Sequence, residues 1–192
     1  MSKKGKTQFV LLGLIIDGPK SGYEMKKTIE CSIGYFWQES YGQIYPALHF
    51  LSKQNYISKK SVNQKSKPDK IIYSITKSGI EYFQNWLKSP INNPPQRNEL
   101  LLRLFFGSAS NINNSITILE NHIIEYSKLY NTFLDIKKLV HSNHVIDSGP
   151  VENSTFSMLT LEYGIMSCKT EIDWAKKATL KLKNINKKTK KE

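Results

Sequence analysis

The sequence lacks a long apolar segment and is poor in cysteine. Its longest apolar run, residues 9–16, includes Gly13 and is far too short to span a bilayer, and no cleavage-site pattern follows it. Cys31 and Cys168 are the only cysteines, and neither has a metal-ligand spacing, so a disulfide framework is excluded and free buried thiols are favoured. These absences predict a soluble, cytoplasmic protein with no membrane partner.

Short motifs of enzymatic sites are also absent. The chain has no P-loop, no GxGxxG, no HExxH and no GxSxG. Its histidines are scattered, and the closest pair, His141 and His144, has only Asp147 and Glu152 nearby as further ligands. We therefore expect surface histidines in place of a metal site, and a protein that is not an enzyme and holds no cofactor.

Residues 40–77 have the order of parts of a winged helix-turn-helix domain. A helix pattern comes first, followed by strands at residues 57–62 and 71–75 with a lysine-rich loop between them. Asn55 follows the last apolar turn of the helix, where a left-handed residue commonly ends one. One face of the helix is apolar, and the other is free to enter a major groove. The apolar face holds Ile44, Ala47, Leu48 and Leu51, and the opposite face holds Gln43, Pro46, His49, Phe50 and Lys53.

Capping signals define the helices on either side. Thr7 precedes a first helix that stops at residues 17–19, where Gly and Pro follow each other. Ser21 is placed to cap a second helix, with Glu24 at the capping-box position, and Thr76 is placed to cap a fourth. Residues 1–90 are therefore predicted to form the winged domain.

The residue types in this domain predict two kinds of DNA contact. Gln43 carries both a donor and an acceptor, which suits the N6 and N7 edge of adenine. Hydroxyl groups suit phosphate oxygens, although packing of both tyrosine rings against the second helix is the alternative. Lysines of the wing attract phosphates without needing fixed geometry. The predicted DNA contacts are Ser40, Tyr41, Gln43, Tyr45, Pro46, His49, Lys53, Lys65, Lys67 and Lys70.

Positive charge is concentrated in the same domain. The formal net charge is +8 over residues 1–90, −1 over residues 91–178 and +5 over residues 179–192. A basic surface concentrates polyanions and releases counterions when phosphates are neutralised, so double-stranded DNA is the predicted partner. For the C-terminal lysines, a purely solubilising role is an equal alternative.

The second half of the chain shows long helix patterns. Residues 91–98 are a proline-rich linker, residues 99–185 a helical domain, and residues 186–192 a basic tail expected to be disordered. The last helix carries two apolar stripes, which one chain has too few helices to cover, so we predict a homodimer. A self-contained helical hairpin is the alternative. The predicted dimerisation residues are Leu161, Ile165, Cys168, Ile172, Trp174 and Ala175, and the second stripe comprises Phe156, Leu159, Tyr163, Met166, Thr170 and Trp174.

Aromatic residues cluster at residues 35–37 and recur in the helical half. Filling of the core is the main interpretation. A pocket for a small aromatic or hydrophobic effector, if present, is expected between the two domains. The candidate ligand residues are Trp37, Tyr126, Tyr130 and Tyr163.

Several segments resemble the PadR family of bacterial transcriptional regulators. The most specific are GPKSGYEM at residues 18–25 and GQIYPAL at residues 42–48, and IIYSITKSGIEYFQNWL and LEYGIMSCKTEIDWAKKATLKL follow the pattern of the longer members with a virulence-activator-type C-terminal domain. The resemblance implies a mainly α fold with a small β-wing: an N-terminal winged helix-turn-helix domain and a C-terminal helical dimerisation domain. It also implies a homodimeric repressor, and some relatives respond to small aromatic acids or hydrophobic drugs.

The sequence departs from the family pattern within and after the recognition helix. His49 and Phe50, and later Asn55, stand where the family usually has charged residues and a glycine. Phe50 is either a contact for a thymine methyl group or a packing residue, and packing is favoured. The sequence as a whole predicts a repressor that binds an inverted-repeat operator. A winged-helix module that binds RNA or docks to a protein is the alternative.

Overall fold

Two compact units, Met1–Asn93 and Pro94–Glu192, make up the chain. The computed structural model describes residues 5–64, 67–91, 97–141 and 151–189, with the backbone alone at residues 63–64, 67–68, 141, 151–154 and 188–189. None of the helices in these ranges is both long enough and apolar enough to cross a membrane.

The N-terminal unit combines four helices with a small sheet. Its helices are α1 (Thr7–Leu14), α2 (Gly22–Cys31), α3 (Tyr41–Lys53) and α4 (Lys77–Leu87), and its strands are β1 (Lys20–Ser21), β2 (Ile57–Gln64) and β3 (Lys67–Ile75). The strands pair antiparallel in the order β1-β3-β2. The β2–β3 hairpin is the wing, and α2 and α3 form the helix-turn-helix.

Residue types explain where these helices begin and end. Ser21 caps α2, because its hydroxyl accepts from the Glu24 N–H at 3.3 Å while Glu24 Oε2 accepts from the Ser21 N–H at 2.8 Å. Thr76 caps α4 by accepting from the Gly79 N–H at 3.1 Å. Asn55 has φ 56° just after α3. These three predictions are confirmed.

The sheet differs from the prediction in two ways. Both wing strands are longer than residues 57–62 and 71–75, and β1 was not predicted. β1 pairs Lys20 with Tyr73 and Ser21 with Ile72. A segment of two residues is too short to show the alternation of apolar and polar side chains that predicts a strand. β1 can therefore be recognised only from its pairing with β3.

The core of the N-terminal unit lies between α1, α2, α3 and the sheet. Aromatic residues of α4 pack against this core. Phe9 stacks on Trp86 with ring centroids 4.6 Å apart, and Tyr56 stacks on Tyr82 with ring centroids 4.3 Å apart. The buried core residues are Leu11, Leu12, Ile15, Met25, Ile29, Ile44, Leu48, Leu51, Ile57 and Tyr73.

Gly79 marks the closest approach of α4 to the turn after α3. A Cβ at this position would lie 2.1 Å from the Tyr56 carbonyl oxygen and 3.0 Å from Ile75 Cγ1. The same carbonyl oxygen accepts from the Thr76 N–H at 3.0 Å, which fixes it in place. Only glycine fits here.

The C-terminal unit is an antiparallel pair of long helices with a short helix before it. Its helices are α5 (Glu99–Phe105), α6 (Ile112–His141) and α7 (Val151–Thr189). Polar pairs join α6 to α7 in opposite chain order: Asn113 to Asn186 at 2.8 Å, and Lys137 to Glu162 at 3.2 Å. The apolar filling between them includes Leu119, Phe133, Leu161, Cys168 and Ala175, all buried.

The last helix is longer than predicted. α7 continues to Thr189 and so includes residues 186–189, which the sequence placed in a disordered tail. Lysine is a good helix former and no glycine or proline interrupts the segment, which allows the helix to extend. Residues 190–192 and most of the predicted linker, residues 92–96, lie outside the described ranges.

Candidate nucleic-acid interface

The exposed face of α3 is the centre of the candidate interface. Ile44, Leu48 and Leu51 are buried, which turns the opposite side of the helix to solvent. At 100° per residue, Gly42, Pro46, His49 and Lys53 lie farthest from the core. The predicted DNA contacts outside the wing all lie on α3, apart from Ser40, which precedes the helix. The predicted contacts that are exposed are Ser40, Tyr41, Gln43, Tyr45, Pro46, His49 and Lys53.

Gln43 has a second task at the start of α3. Its Oε1 accepts hydrogen bonds from the Ser40 N–H and from the Ser40 hydroxyl, both at 2.9 Å. The first of these hydrogen bonds satisfies the backbone N–H of Ser40, which precedes the helix. The side-chain oxygen is therefore engaged, and only the NH2 group remains to meet a base. The serine three residues before Gln43 was the sequence signal for this role.

Both predicted tyrosines lie on the flank of α3 and are about half exposed. The rings of Tyr41 and Tyr45 stack with centroids 6.0 Å apart. Gly22 of α2 lies under Tyr45, because a Cβ on Gly22 would be 3.1 Å from Tyr45 Cε1. Tyr45 thus packs on the second helix while half of it remains exposed, which combines the two alternatives given by the sequence.

Phe50 packs inward. It is partly buried against the core of the N-terminal unit, although its helical position lies beside the exposed face. Packing, the favoured interpretation from the sequence, is what the structure shows, so a contact of Phe50 with a thymine methyl group is not needed to explain it.

Of the three predicted wing lysines, the structure describes only Lys70 in full. Lys65 lies outside the described residues, and so does the side chain of Lys67. Lys70 is described, and its Nζ donates to Glu24 Oε1 at 2.7 Å. Lys59 and Lys60 on β2 are exposed, and the sequence reasoning missed both because they fall inside a strand.

The Lys70–Glu24 pair ties the wing to the start of α2. The hydrogen bond from Lys70, together with those from the Ser21 N–H and hydroxyl, lowers the pKa of Glu24 to about 2. Glu24 is therefore ionised at all physiological pH values, and it neutralises the one predicted wing lysine that the structure describes in full.

Replacing Glu24 with Gln should destabilise the N-terminal unit at neutral pH more than in acid. The pKa of Glu24 in the folded state is below its ordinary value of 4.5, so its contribution is complete above that pH and falls as the pH drops toward 2. Since both side chains of the pair are partly exposed, we expect a loss of about 1 kcal/mol in the free energy of unfolding. Urea unfolding at about pH 7 and about pH 3 measures it. Glu81→Gln, at an exposed carboxylate of α4, is the matched control, and an equal loss for Glu24→Gln at both pH values would contradict the prediction.

The predicted dimerisation residues belong to the face of α7 that packs on α6. Leu161, Cys168, Ile172 and Ala175 are buried within the single chain, and Ile165 is partly buried. Trp174 is half-buried, with its ring 6.4 Å from His122 of α6. These side chains are thus used inside the chain, and α6 covers the first of the two stripes.

The second stripe of α7 is left exposed. Met166 is 70% exposed, and Phe156, Leu159 and Tyr163 are similar, whereas Trp174 is half-buried. On α5, no residue is buried, and Phe105 is 81% exposed. Eight large apolar side chains, on the second stripe of α7 and on or directly after α5, are therefore exposed in the single chain. The exposed apolar residues are Leu101, Leu102, Phe105, Phe106, Phe156, Leu159, Tyr163 and Met166.

The candidate ligand residues occupy different surroundings. Tyr126 of α6 packs on His122 with ring centroids 4.2 Å apart, and burial, followed by the charge of Glu171, raises the pKa of its hydroxyl. Tyr130 is half-buried, and Tyr163 lies on the exposed stripe of α7. Trp37 belongs to the N-terminal unit, where its Nε1 donates to Glu39 Oε1 at 2.7 Å.

Family models match each unit. Residues 11–85 match the transcriptional regulator PadR-like family, and residues 96–183 match the virulence activator alpha C-term family. The probable transcriptional regulator Rv1176c of Mycobacterium tuberculosis is 33% identical over 82 residues, 43% of this chain and 43% of that protein. The negative transcriptional regulator PadR of Bacillus subtilis is 31% identical over 101 residues, 52% of this chain and 55% of that protein. The match thus spans about half the length of these curated relatives.

Solved structures share the fold along most of the chain. Bacillus subtilis PadR in complex with operator DNA has a TM-score of 0.77 at 20% identity, covering 91% of this chain and 98% of that one. The same protein in complex with p-coumaric acid has a TM-score of 0.74 at 19% identity, covering 93% and 99%. The predicted fold class, a winged helix-turn-helix domain followed by a helical domain, is confirmed.

Proposed function

This chain belongs to the PadR family of transcriptional regulators and has a virulence-activator-type C-terminal domain, and from this we propose that it is a homodimeric repressor of an inverted-repeat operator. The observation that carries the proposal is the exposed face of α3, opposite a fully apolar buried face and beside a wing. A helix of this kind fits the major groove, and the net charge of +8 over residues 1–90 attracts the phosphates on either side.

Roles follow from position on α3. Gly42 and Pro46 have no long side chain, so the helix backbone can come close to the base edges. His49 and Lys53 lie on the same face and would contact the bases. Gln43 contributes its NH2 group alone. Ser40, Tyr41 and Tyr45 lie on the flank and suit phosphate oxygens. Four lysines of the wing supply further positive charge: Lys59, Lys60, Lys65 and Lys67. Lys70 is not among them, because Glu24 already neutralises it.

Enrichment of genomic fragments tests this function directly. Fragments of the native genome that co-purify with the protein are sequenced, and the common site is compared with a random duplex and with single-stranded RNA. We expect an inverted repeat with half-sites about one helical turn apart, bound at least about 1,000-fold more tightly than random DNA. Equal binding to all three nucleic acids would favour a module that binds RNA or polyanions without operator specificity.

Substitutions on α3 and on the wing should give different signatures. His49→Ala is expected to cost about 1–3 kcal/mol on the operator with little change on random DNA, because a base contact is lost. Lys60→Ala is expected to weaken binding to both duplexes alike and to reduce the salt slope by about one phosphate, because a charge is lost. Fluorescence anisotropy at several salt concentrations measures both changes.

Lys88→Ala is the matched control for charge, since Lys88 is exposed at the C-terminal end of α4 and belongs neither to α3 nor to the wing. It should leave both affinities nearly unchanged. If His49→Ala weakens both duplexes equally, His49 is not a base reader, and Lys53 becomes the candidate. Gln43→Ala is a poorer test, because it also removes the hydrogen bonds to Ser40.

Dimerisation is proposed through the exposed stripe of α7 and the apolar surface of α5. A two-fold axis lets one copy cover the stripe of the other with the same residues. The stripe ends near Thr170, because Lys177 and Lys181 continue the same face of the helix. The proposed interface therefore lies on the N-terminal half of α7.

A small aromatic or hydrophobic effector is proposed to release the operator. The support is the p-coumaric acid complex of Bacillus subtilis PadR, a protein with the same fold. Tyr126 and Tyr130 are half-buried tyrosines on α6 that suit such a ligand. Titration of p-coumaric acid into the operator complex tests it, and an unchanged anisotropy up to millimolar concentration would count against this effector.

A further inference from the structure

A cavity of about 720 Å³ lies in the helix-turn-helix between α2 and the first turn of α3. This volume is in the range of small-molecule sites. Most of the residues that line it are polar or charged. The lining residues that matter here are Lys26, Glu30, Gln38, Glu39, Ser40 and Tyr41.

Glu39 is the unusual member of this lining. It is only 3% exposed, which is rare for a carboxylate. Its Oε1 accepts from Trp37 Nε1 at 2.7 Å, whereas Oε2 is buried without a hydrogen-bond partner among the described residues. A buried carboxylate oxygen without a donor is unfavourable, because its hydration is lost and nothing in the protein replaces it. The cavity beside it therefore calls for a hydrogen-bond donor.

Charges around the cavity select a cation over an anion. Among the described residues, Lys26 is the only cationic side chain in the lining, and its Nζ is already paired with Glu30 Oε1 at 2.7 Å. Among the described side chains, Glu39 forms no ion pair, so the charged lining residues carry one net negative charge. An anionic ligand would add to this imbalance, whereas a cationic one would offset it.

The side chains that line the cavity suit an organic cation better than a metal ion. Within the described part of the chain, no three His, Cys, Asp or Glu side chains come together as a metal site. A hard divalent cation takes about six oxygen ligands, and one buried carboxylate falls short of that. Tyr41 lines the cavity with a ring that is partly exposed, and an aromatic face attracts ammonium and guanidinium groups.

We infer that this cavity binds a small organic cation, a primary amine or a guanidinium compound, whose N–H groups donate to the Glu39 carboxylate beside the ring of Tyr41. The ligand would sit at the N-terminal end of α3, where Ser40, Tyr41 and Gln43 line the same space. Binding of such a cation would require the protein alone and would not depend on DNA.

Agmatine and putrescine are the probes, and acetate and p-coumarate at the same ionic strength are the anionic controls. The readout is the indole N–H signal of Trp37 in a two-dimensional ¹⁵N–¹H spectrum of the intact protein, because this group donates directly to Glu39. Trp37→Phe identifies the signal by its loss. We expect a saturable shift of the Trp37 signal with the two cations, while those of Trp86 and Trp174 stay in place.

Glu39→Gln is the test variant, since it keeps the shape and an oxygen for Trp37 but removes the charge. It should weaken agmatine binding by about 10-fold or more, as expected for loss of a charge-assisted hydrogen bond. Glu81→Gln, on the surface of α4, should bind as the unaltered protein does. The inference is overturned if neither cation shifts the Trp37 signal at millimolar concentration, if the anions shift it equally, or if Glu39→Gln binds agmatine unchanged. If Glu39→Gln fails to fold, the spectra of the unaltered protein decide the question alone.

Discussion

Gly79→Ala should lower the stability of the N-terminal unit by about 3 kcal/mol or more, a large part of the stability of an ordinary domain. The added methyl carbon would lie 2.1 Å from a backbone oxygen, and a backbone atom cannot turn away as a side chain can. To relieve the clash, α4 would have to move off the Tyr56 carbonyl, which would break the hydrogen bond from Thr76 and separate the stacked rings of Tyr56 and Tyr82. Urea unfolding monitored by tryptophan fluorescence measures the loss.

Gly42→Ala is the matched control. A Cβ on Gly42 would be 3.6 Å from its nearest neighbour, Ser40 Oγ, which is an ordinary contact. Inside the exposed part of α3 the change should stabilise the unit by about 0.5–1 kcal/mol, because alanine favours a helix over glycine. If Gly79→Ala unfolds at the same urea concentration as the unaltered protein, the close contact between α4 and Tyr56 is not present in solution.

Met166→Glu should convert the proposed dimer to monomers at micromolar concentration. Met166 is at the centre of the exposed stripe, and a two-fold axis places two new carboxylates in the interface, one from each copy. Burying unpaired charges in an apolar contact costs several kcal/mol, which corresponds to a weakening of the dimer by about 100-fold or more. Sedimentation velocity across a range of concentrations gives the result. Because Met166 is exposed in the single chain, the fold of the monomer should be unaffected.

Lys177→Glu provides the comparison on the same helix. It lies on the same exposed face, about three turns beyond Met166, and it changes the charge by more than Met166→Glu does. The dimer should persist in this variant. A dimer that survives Met166→Glu but not Lys177→Glu would move the interface to the C-terminal half of α7.

Structural features that depend on residues close together in the chain were predicted well from the sequence. Ser21, Thr76 and Asn55 act within four residues of their own position, so their effect is written in the local sequence. The amphipathic pattern of α3 is also local: on its predicted apolar face Ile44, Leu48 and Leu51 are buried, and Ala47 is partly buried.

Features that depend on a distant partner were missed. β1 exists only because β3 pairs with it, and Lys70 meets Glu24 across the fold. The two stripes of α7 show the same limit more clearly. Periodicity indicates that a face is apolar, but it does not say what covers that face. The stripe with Leu161 and Ala175 was predicted to meet a second copy, whereas α6 of the same chain covers it.

The sequence also did not show which side-chain atoms are already engaged within the fold. Gln43 has the chemistry to read a base, and nothing in its own identity shows that its oxygen binds Ser40. Glu39 precedes a helix and resembles any surface carboxylate in the sequence, yet it is buried. In both cases, the structure adds the neighbour that determines which atoms remain available.

Strand β1 has a consequence for the order of folding. Its partners on β3 are about fifty residues away in the chain, so the sheet is completed only when a long loop closes. The wing hairpin, whose strands follow each other directly, can form much earlier. We therefore expect docking of residues 20–21 onto β3 to be a late and slow step in the folding of the N-terminal unit. On the ribosome, residues 20–21 cannot pair with β3 until residues 72–73 have emerged.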